Sequence, residues 1–316
     1  MKSRKNIIVL TLFIQLISFE SYSQEPIVLK TSTGEIKGTL TFPEKRKDIY
    51  LVLIISGSGP TDRNGNGPAG DNNSLKFLAE ELSKNGIASL RFDKRGIAES
   101  SDAVRDEREL RFETYVNDVK EWITLLSKDK AFSKIIVAGH SEGSLIGMIA
   151  SVKNKKVNAF ISIAGAGRPA DEIIKEQLEK VPQNVKDIIY PMIDKIKKGD
   201  TIPNIPPILS GLFRLSVQPY MTSWFKYDPK TEIKKLNIPV LIVQGTTDIQ
   251  VTEKDAELLS KAQPAAEVKI IQNMNHVLKN CDSKNKETQM ETYSNSDLPL
   301  NQEFVKDVIS FTKNLK

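Results

Sequence analysis

Gly139-His140-Ser141-Glu142-Gly143 follows the apolar run Ile135-Ile136-Val137-Ala138 and precedes Ser144-Leu145-Ile146-Gly147-Met148-Ile149-Ala150. A short apolar run, a glycine-flanked turn and a longer apolar run read as strand, turn and helix. In that setting the serine sits on a sharp, strained turn at the top of a sheet. Small residues two before and two after it let strand and helix approach closely. Glycine-flanked serines are common in ordinary turns, and the flanking strand and helix are what give this one chemical meaning.

Outward from that turn, strands and helices alternate. Pro26–Leu29 and Ile36–Phe42 read as two strands joined at Thr33-Gly34, the second alternating apolar and polar residues as a half-buried antiparallel strand does. Ile49–Ile55 is continuously apolar, as a strand covered on both faces should be. A loop rich in Gly, Asn and Pro then leads to an amphipathic helix over Ser74–Asn85, closed by Gly86. Strands at Ile87–Phe92, Val157–Ala164, Pro239–Val243 and Glu267–Ile271 alternate with helices at Phe112–Ser127, Gly143–Val152 and Glu253–Ala262; a last helix covers Asn301–Leu315. The pattern predicts an α/β fold: a mostly parallel sheet flanked by helices. Between Gly167 and Lys230 it breaks. That stretch is helical over Asp171–Lys180 and Val185–Lys197, then Pro-rich and apolar to Trp224-Phe225, and reads as a helical cap (167–230) inserted into a core of 24–166 and 231–316.

The N-terminus has the three parts of a secretory signal peptide: basic Lys2, Arg4 and Lys5, an apolar stretch to Ile17, and Ser21-Tyr22-Ser23 before Gln24. A leader over 1–23, cleaved near Ser23/Gln24, implies export to a periplasm or the medium. The apolar run is too short to span a bilayer, and no other segment is long and apolar enough. Part of the formal charge of +5 lies in that leader. Lysines and glutamates are otherwise interspersed, with no basic stripe of the kind nucleic acid requires. Cys281 is the only cysteine and reads as an incidental thiol.

A serine hydroxyl needs a base to act as a nucleophile at neutral pH. The chain has 2 histidines. His140 adjoins the serine, where its ring is expected to point away from the reactive face. That leaves His276, just after the last predicted strand. Asp248, at the C-terminal end of the strand before it, is the carboxylate expected to orient His276; Asp255 competes but falls inside a predicted helix. The chain order Ser141, Asp248, His276 differs from those of the chymotrypsin and subtilisin classes. An oxyanion hole needs two backbone N–H donors. Glu142, after the nucleophile, offers one. Ser58 offers the other, in the Ser56-Gly57-Ser58-Gly59-Pro60 loop, with Gly59 next.

These residues resemble the α/β-hydrolase superfamily and, within it, the esterase and serine-aminopeptidase-like branch. The resemblance rests on Ser56–Asp62 (S-G-S-G-P-T-D), Arg91-Phe92-Asp93-Lys94-Arg95-Gly96, G-H-S-E-G at the elbow, the loop ending in Asp248, and Met274-Asn275-His276. It covers the core and not the cap. Ser56 stands where many relatives carry His, and Lys279–Leu298 has no counterpart that can be assigned. The resemblance implies ion pairs at Asp93 or Arg95 that brace the site, with substrate contact through Arg95 as the alternative. Asp62–Gly67 looks like a calcium loop but lacks its closing Glu. Neither a metal nor a cofactor is expected.

The expected function is therefore an exported serine hydrolase that cleaves carboxylic esters through an acyl-enzyme. Ile208, Leu209, Leu212, Phe213, Trp224 and Phe225 of the cap suggest an apolar pocket, with Gly59, Trp224 and Phe225 as substrate contacts. The alternative is a serine peptidase or aminopeptidase taking short peptides, for which Asp171, Glu172 or Glu176 would hold a free α-amine. A third reading is a catalytically silent binding protein on a hydrolase scaffold.

Overall fold

The computed structural model describes residues 22–316; the signal-peptide reading of 1–23 lies outside the described residues, but for its last two positions. The sheet comprises β1 (Ser23–Lys30), β2 (Glu35–Phe42), β3 (Ile49–Ile55), β4 (Ala88–Phe92), β5 (Phe132–His140), β6 (Ala159–Ile163), β7 (Val240–Gly245) and β8 (Glu267–Ile271). Their spatial order is β1-β2-β4-β3-β5-β6-β7-β8. Strands β1, β2 and β4 pair antiparallel. Every other neighbouring pair is parallel.

Helices are α1 (Ser74–Lys84), α2 (Phe112–Leu126), α3 (Glu142–Ser151), α4 (Ala170–Gln177), α5 (Gln183–Lys198) and α6 (Ser210–Phe213), followed by α7 (Gln218–Trp224), α8 (Pro229–Ile233), α9 (Glu253–Ala262), α10 (Lys286–Tyr293) and α11 (Gln302–Lys313). The continuously apolar β3 is covered on both faces, as its composition predicts. Leu51, Leu53 and Ile55 pack with Val119 and Trp122 of α2 and Ile146 of α3. Val52 and Ile54 pack with Leu78 of α1 and Phe304 of α11.

Helices α4 to α7 lie between β6 and β7 and carry a small core of their own, in which Ile193, Ile196, Phe213 and Met221 are buried. Ile233 of α8 already belongs to the main core. The stretch with no sequence assignment, Lys279–Leu298, contains α10. Its buried residues are Gln289, Thr292 and Tyr293, so no apolar stripe marks it as a helix.

The charged cluster after β4 is buried and paired. Asp93 accepts from the Arg63 backbone N–H at 2.7 Å and from its guanidinium at 2.6 Å. Arg95 is bound by Asp118 and by Thr31 and Thr33 of the first hairpin. Arg95 is thus occupied in bracing loops and does not line the cavity described below.

The elbow is built on close approach. A Cβ on Gly139 would lie 2.1 Å from the Gly143 carbonyl oxygen, and one on Gly143 would lie 2.4 Å from that of Ile55. Both obstacles are backbone, so neither can swing aside. Ser141, between them, has φ 55 and ψ −121, a conformation non-glycine residues adopt only when their surroundings impose it. Gly143→Ala is expected to destabilise the protein by about 1–3 kcal/mol, the usual effect of overpacking, as read from urea unfolding. Unchanged stability would mean that α3 can move away from β3.

Candidate active site

The nucleophile, base, orienting carboxylate and oxyanion loop proposed from sequence each follow a strand end on one side of the sheet. Ser56–Gly59 follow β3, Ser141 follows β5, Asp248 follows β7 and His276 follows β8. This is the edge where open α/β sheets bind ligands.

His276 Nδ1 is 2.7 Å from Asp248 Oδ2, and both side chains are buried. Asp248 Oδ1 accepts from the backbone N–H groups of Gln250 at 2.7 Å and Val251 at 3.0 Å, and Oδ2 accepts from Gln244 Nε2 at 3.1 Å. Burial alone would push this carboxyl up; the His276 ring and the donated hydrogen bonds outweigh it and hold the group below its ordinary value. Asp248 is therefore ionised at neutral pH and holds the proton of His276 on Nδ1, leaving Nε2 free to accept. Asp255, the competing carboxylate, is taken up by Arg168 at 2.8 Å and by the start of α9. Among the described residues, Ser141 Oγ and His276 are not joined by a hydrogen bond; such contacts are often long without substrate and tighten when it binds.

Ser58 and Gly59 line the same cavity as Ser141 and Glu142. Among the described residues, neither the Ser58 nor the Glu142 N–H has an acceptor. Glu142 opens α3, so its N–H is one of the unpaired donors at a helix N-terminus, where partial positive charge favours an anion.

The cavity holds about 590 Å³, within the usual range for a small-molecule site. Its wall is largely apolar, with Leu145, Ile173, Val217, Met221 and Trp224, and its charged members are Lys94, Glu107, Glu142, Arg168 and Arg214. Every one of these has a partner of opposite sign: Lys94 with Glu142, Arg214 with Glu107, and Arg168 with Asp255 and Glu176.

Comparison with known proteins agrees with this architecture. The family model "Serine aminopeptidase, S33" matches residues 67–204, a stretch that holds Ser141 but ends before Asp248 and His276. Esterase EstD of Thermotoga maritima is 29% identical over 272 residues, covering 82% of this chain. The match spans 61% of that relative's own length. Among solved structures, Est1E from Butyrivibrio proteoclasticus has a TM-score of 0.59 at 17% identity, covering 91% of this chain and 98% of its own. The α/β-hydrolase GrgF from Penicillium sp. sh18 has a TM-score of 0.61 at 16% identity, covering 93% and 99%. The chain has the α/β-hydrolase fold.

Several cap expectations need correction. Of the two adjacent aromatics, Trp224 lines the cavity. Phe225 does not. It is buried in the cap core, as is Phe213, while Ile208 points to solvent at 91% exposure. Neighbouring helical positions face about 100° apart, so both aromatics cannot face the substrate. The acidic groups considered for an α-amine are also elsewhere: Asp171 pairs with Lys197, Glu176 with Arg168, and Glu172 is exposed.

Two features escaped the sequence reading. His140 packs on His276: its ring centre lies 4.8 Å from that of His276, and its Nε2 donates to the His276 carbonyl at 2.8 Å. The α10 segment straps the two loops that carry Asp248 and His276. Gln289 donates to the Thr247 carbonyl at 2.9 Å, Tyr293 OH accepts from Gln250 at 2.8 Å, and Thr292 Oγ1 accepts from Asn275 at 2.6 Å. Cys281 is buried beside Gln289 within this strap.

Burial, followed by the adjacent His276, pushes His140 down to about 3. The unfolded chain, with an ordinary histidine, therefore binds one more proton than the folded protein between about pH 6.5 and pH 3. His140 thus contributes stability that is present above pH 6.5 and lost as pH falls through that window. His140→Gln keeps a donor but cannot be protonated. Its stability relative to wild type, from urea unfolding between pH 6 and 4, should improve by up to about 1.4 kcal/mol per pH unit lowered. Parallel pH curves would mean that His140 is already charged in the folded state.

Proposed function

We propose that this α/β-hydrolase is an exported serine esterase. Ser141 attacks the acyl carbonyl, and His276 takes its proton and returns it to the leaving alcohol. Asp248 orients His276 and stabilises its charged form, the Ser58 and Glu142 N–H groups hold the oxyanion, and water then hydrolyses the acyl-enzyme. The observation that carries this reading is the 2.7 Å Asp248–His276 bond on the strand edge that bears the strained Ser141. Export rests on the basic, apolar and small-residue segments of the leader, and its cut falls at the start of β1.

Esters are favoured over peptides by the charge of the cavity. A free α-ammonium needs an unpaired carboxylate, and both acidic groups in the wall are already neutralised, Glu107 by Arg214 and Glu142 by Lys94. An apolar wall with internally paired charges suits a neutral ester with an apolar acyl or alcohol group. The relatives named as esterases support this reading, while the matching family model carries an aminopeptidase name.

Purified protein should hydrolyse p-nitrophenyl butyrate and be labelled by a fluorophosphonate. Ser141→Ala should lower kcat by ~10⁴–10⁶-fold and abolish labelling. Equal activity in both proteins would mean that Ser141 is not the nucleophile. Faster turnover of aminoacyl anilides than of esters would reverse the substrate assignment, and no labelling of wild type would favour the silent scaffold.

A further inference from the structure

Both expected oxyanion donors belong to backbone held by one buried cation. Lys94 follows β4, and its Nζ donates to the Gly57 carbonyl while lying 2.8 Å from Glu142 Oε2. The two side chains are 2% and 3% exposed. The Tyr220 hydroxyl, from the cap, donates to the other Glu142 oxygen at 2.6 Å.

The Gly57 carbonyl and the Ser58 N–H belong to one planar trans peptide and point in opposite directions. Binding the carbonyl to Lys94 therefore turns the Ser58 N–H the other way. This peptide lies beside the nucleophile: a Cβ on Gly57 would be 3.2 Å from Ser141 Cβ. Glu142, which anchors Lys94, carries the second donor on its own backbone. A buried ion pair adds little net stability over apolar residues of the same volume, so stability alone does not account for this one.

We propose that Lys94, anchored by Glu142, is a positioning residue that orients the Ser58 N–H and joins it to the Glu142 N–H as one preorganised oxyanion hole. The inference rests on the reading of Ser141 as an acyl-accepting nucleophile. Removing a whole oxyanion donor typically lowers kcat by ~10²–10³-fold, and a donor left free to rotate should lose part of that.

The test is the paired variant Lys94→Met/Glu142→Gln, which removes both charges together and leaves no lone buried ion. Hydrolysis of p-nitrophenyl butyrate, inhibition by a trifluoromethyl ketone and the thermal midpoint are measured in full-length protein. The expected result is a folded protein with kcat down about 10- to 100-fold, KM little changed, and ketone affinity down by the same factor. Wild-type kcat and ketone affinity in the paired variant would overturn the role of Lys94, as would a loss confined to the thermal midpoint. If the pair does not fold, Glu142→Gln alone should show a smaller, parallel fall in kcat and ketone affinity, and full retention would again overturn the proposal. Wild-type protein that neither hydrolyses esters nor reacts with a fluorophosphonate would overturn the reading of the site as well.

Discussion

The contact on which the site depends is between backbones: the first turn of α3 pressed against the ends of β5 and β3. Only glycine fits at 139 and 143, because the carbonyl oxygens of Gly143 and Ile55 occupy the space a Cβ would need. That contact holds Ser141 at φ 55, a conformation of a kind that costs on the order of 1–3 kcal/mol when nothing enforces it. It also fixes where the free N–H of Glu142 points. The sheet, the helices on its faces and the cap all bear on function through this one turn.

The electrostatics around the turn follow a single rule. Charged groups that reach the cavity or its floor arrive with a partner, so the wall presents dipoles, apolar surface and paired charges. An unpaired cation beside the elbow would attract carboxylates and hold products. Lys94, neutralised by Glu142 and bonded to a glycine carbonyl, avoids this. Beside a largely apolar wall, oriented N–H groups act more strongly on developing charge than they do in bulk water.

Much of this was legible in the sequence. Strand and helix periods revealed the α/β alternation and its interruption by the cap, and the glycines of the elbow announced the close approach. With two histidines in the chain, elimination led to His276, and the preceding strand end led to Asp248. What stayed hidden depends on contacts between distant segments. His140 and His276 are 136 residues apart, and nothing local in either segment indicates that one donates to the other's carbonyl. The α10 strap buries Gln289, Thr292 and Tyr293, side chains that carry no hydrophobic period. Trp224 and Phe225 differ in role only through the direction their helix faces. The partners of Lys94 were equally invisible, because a D-K-R-G run gives charges but not destinations.

The cap is tied to the core unevenly. Near the elbow its contacts are sheltered: Tyr220 to Glu142, the Phe112 N–H to Ser223 at 2.8 Å, and the stacked rings of Phe112 and Trp224. At the 207–214 end the connection is Arg214 to Glu107, with side chains 46% and 32% exposed. Exposed pairs contribute about 0–1 kcal/mol and weaken with salt, whereas sheltered hydrogen bonds and ring stacking lack that sensitivity. The fold therefore secures the cap most firmly where it meets the elbow helix α3 and the start of α2, and least firmly beside exposed Leu212 and Leu215. Displacement of the cap thus costs least at the outer wall of the cavity, away from the strained turn at Ser141.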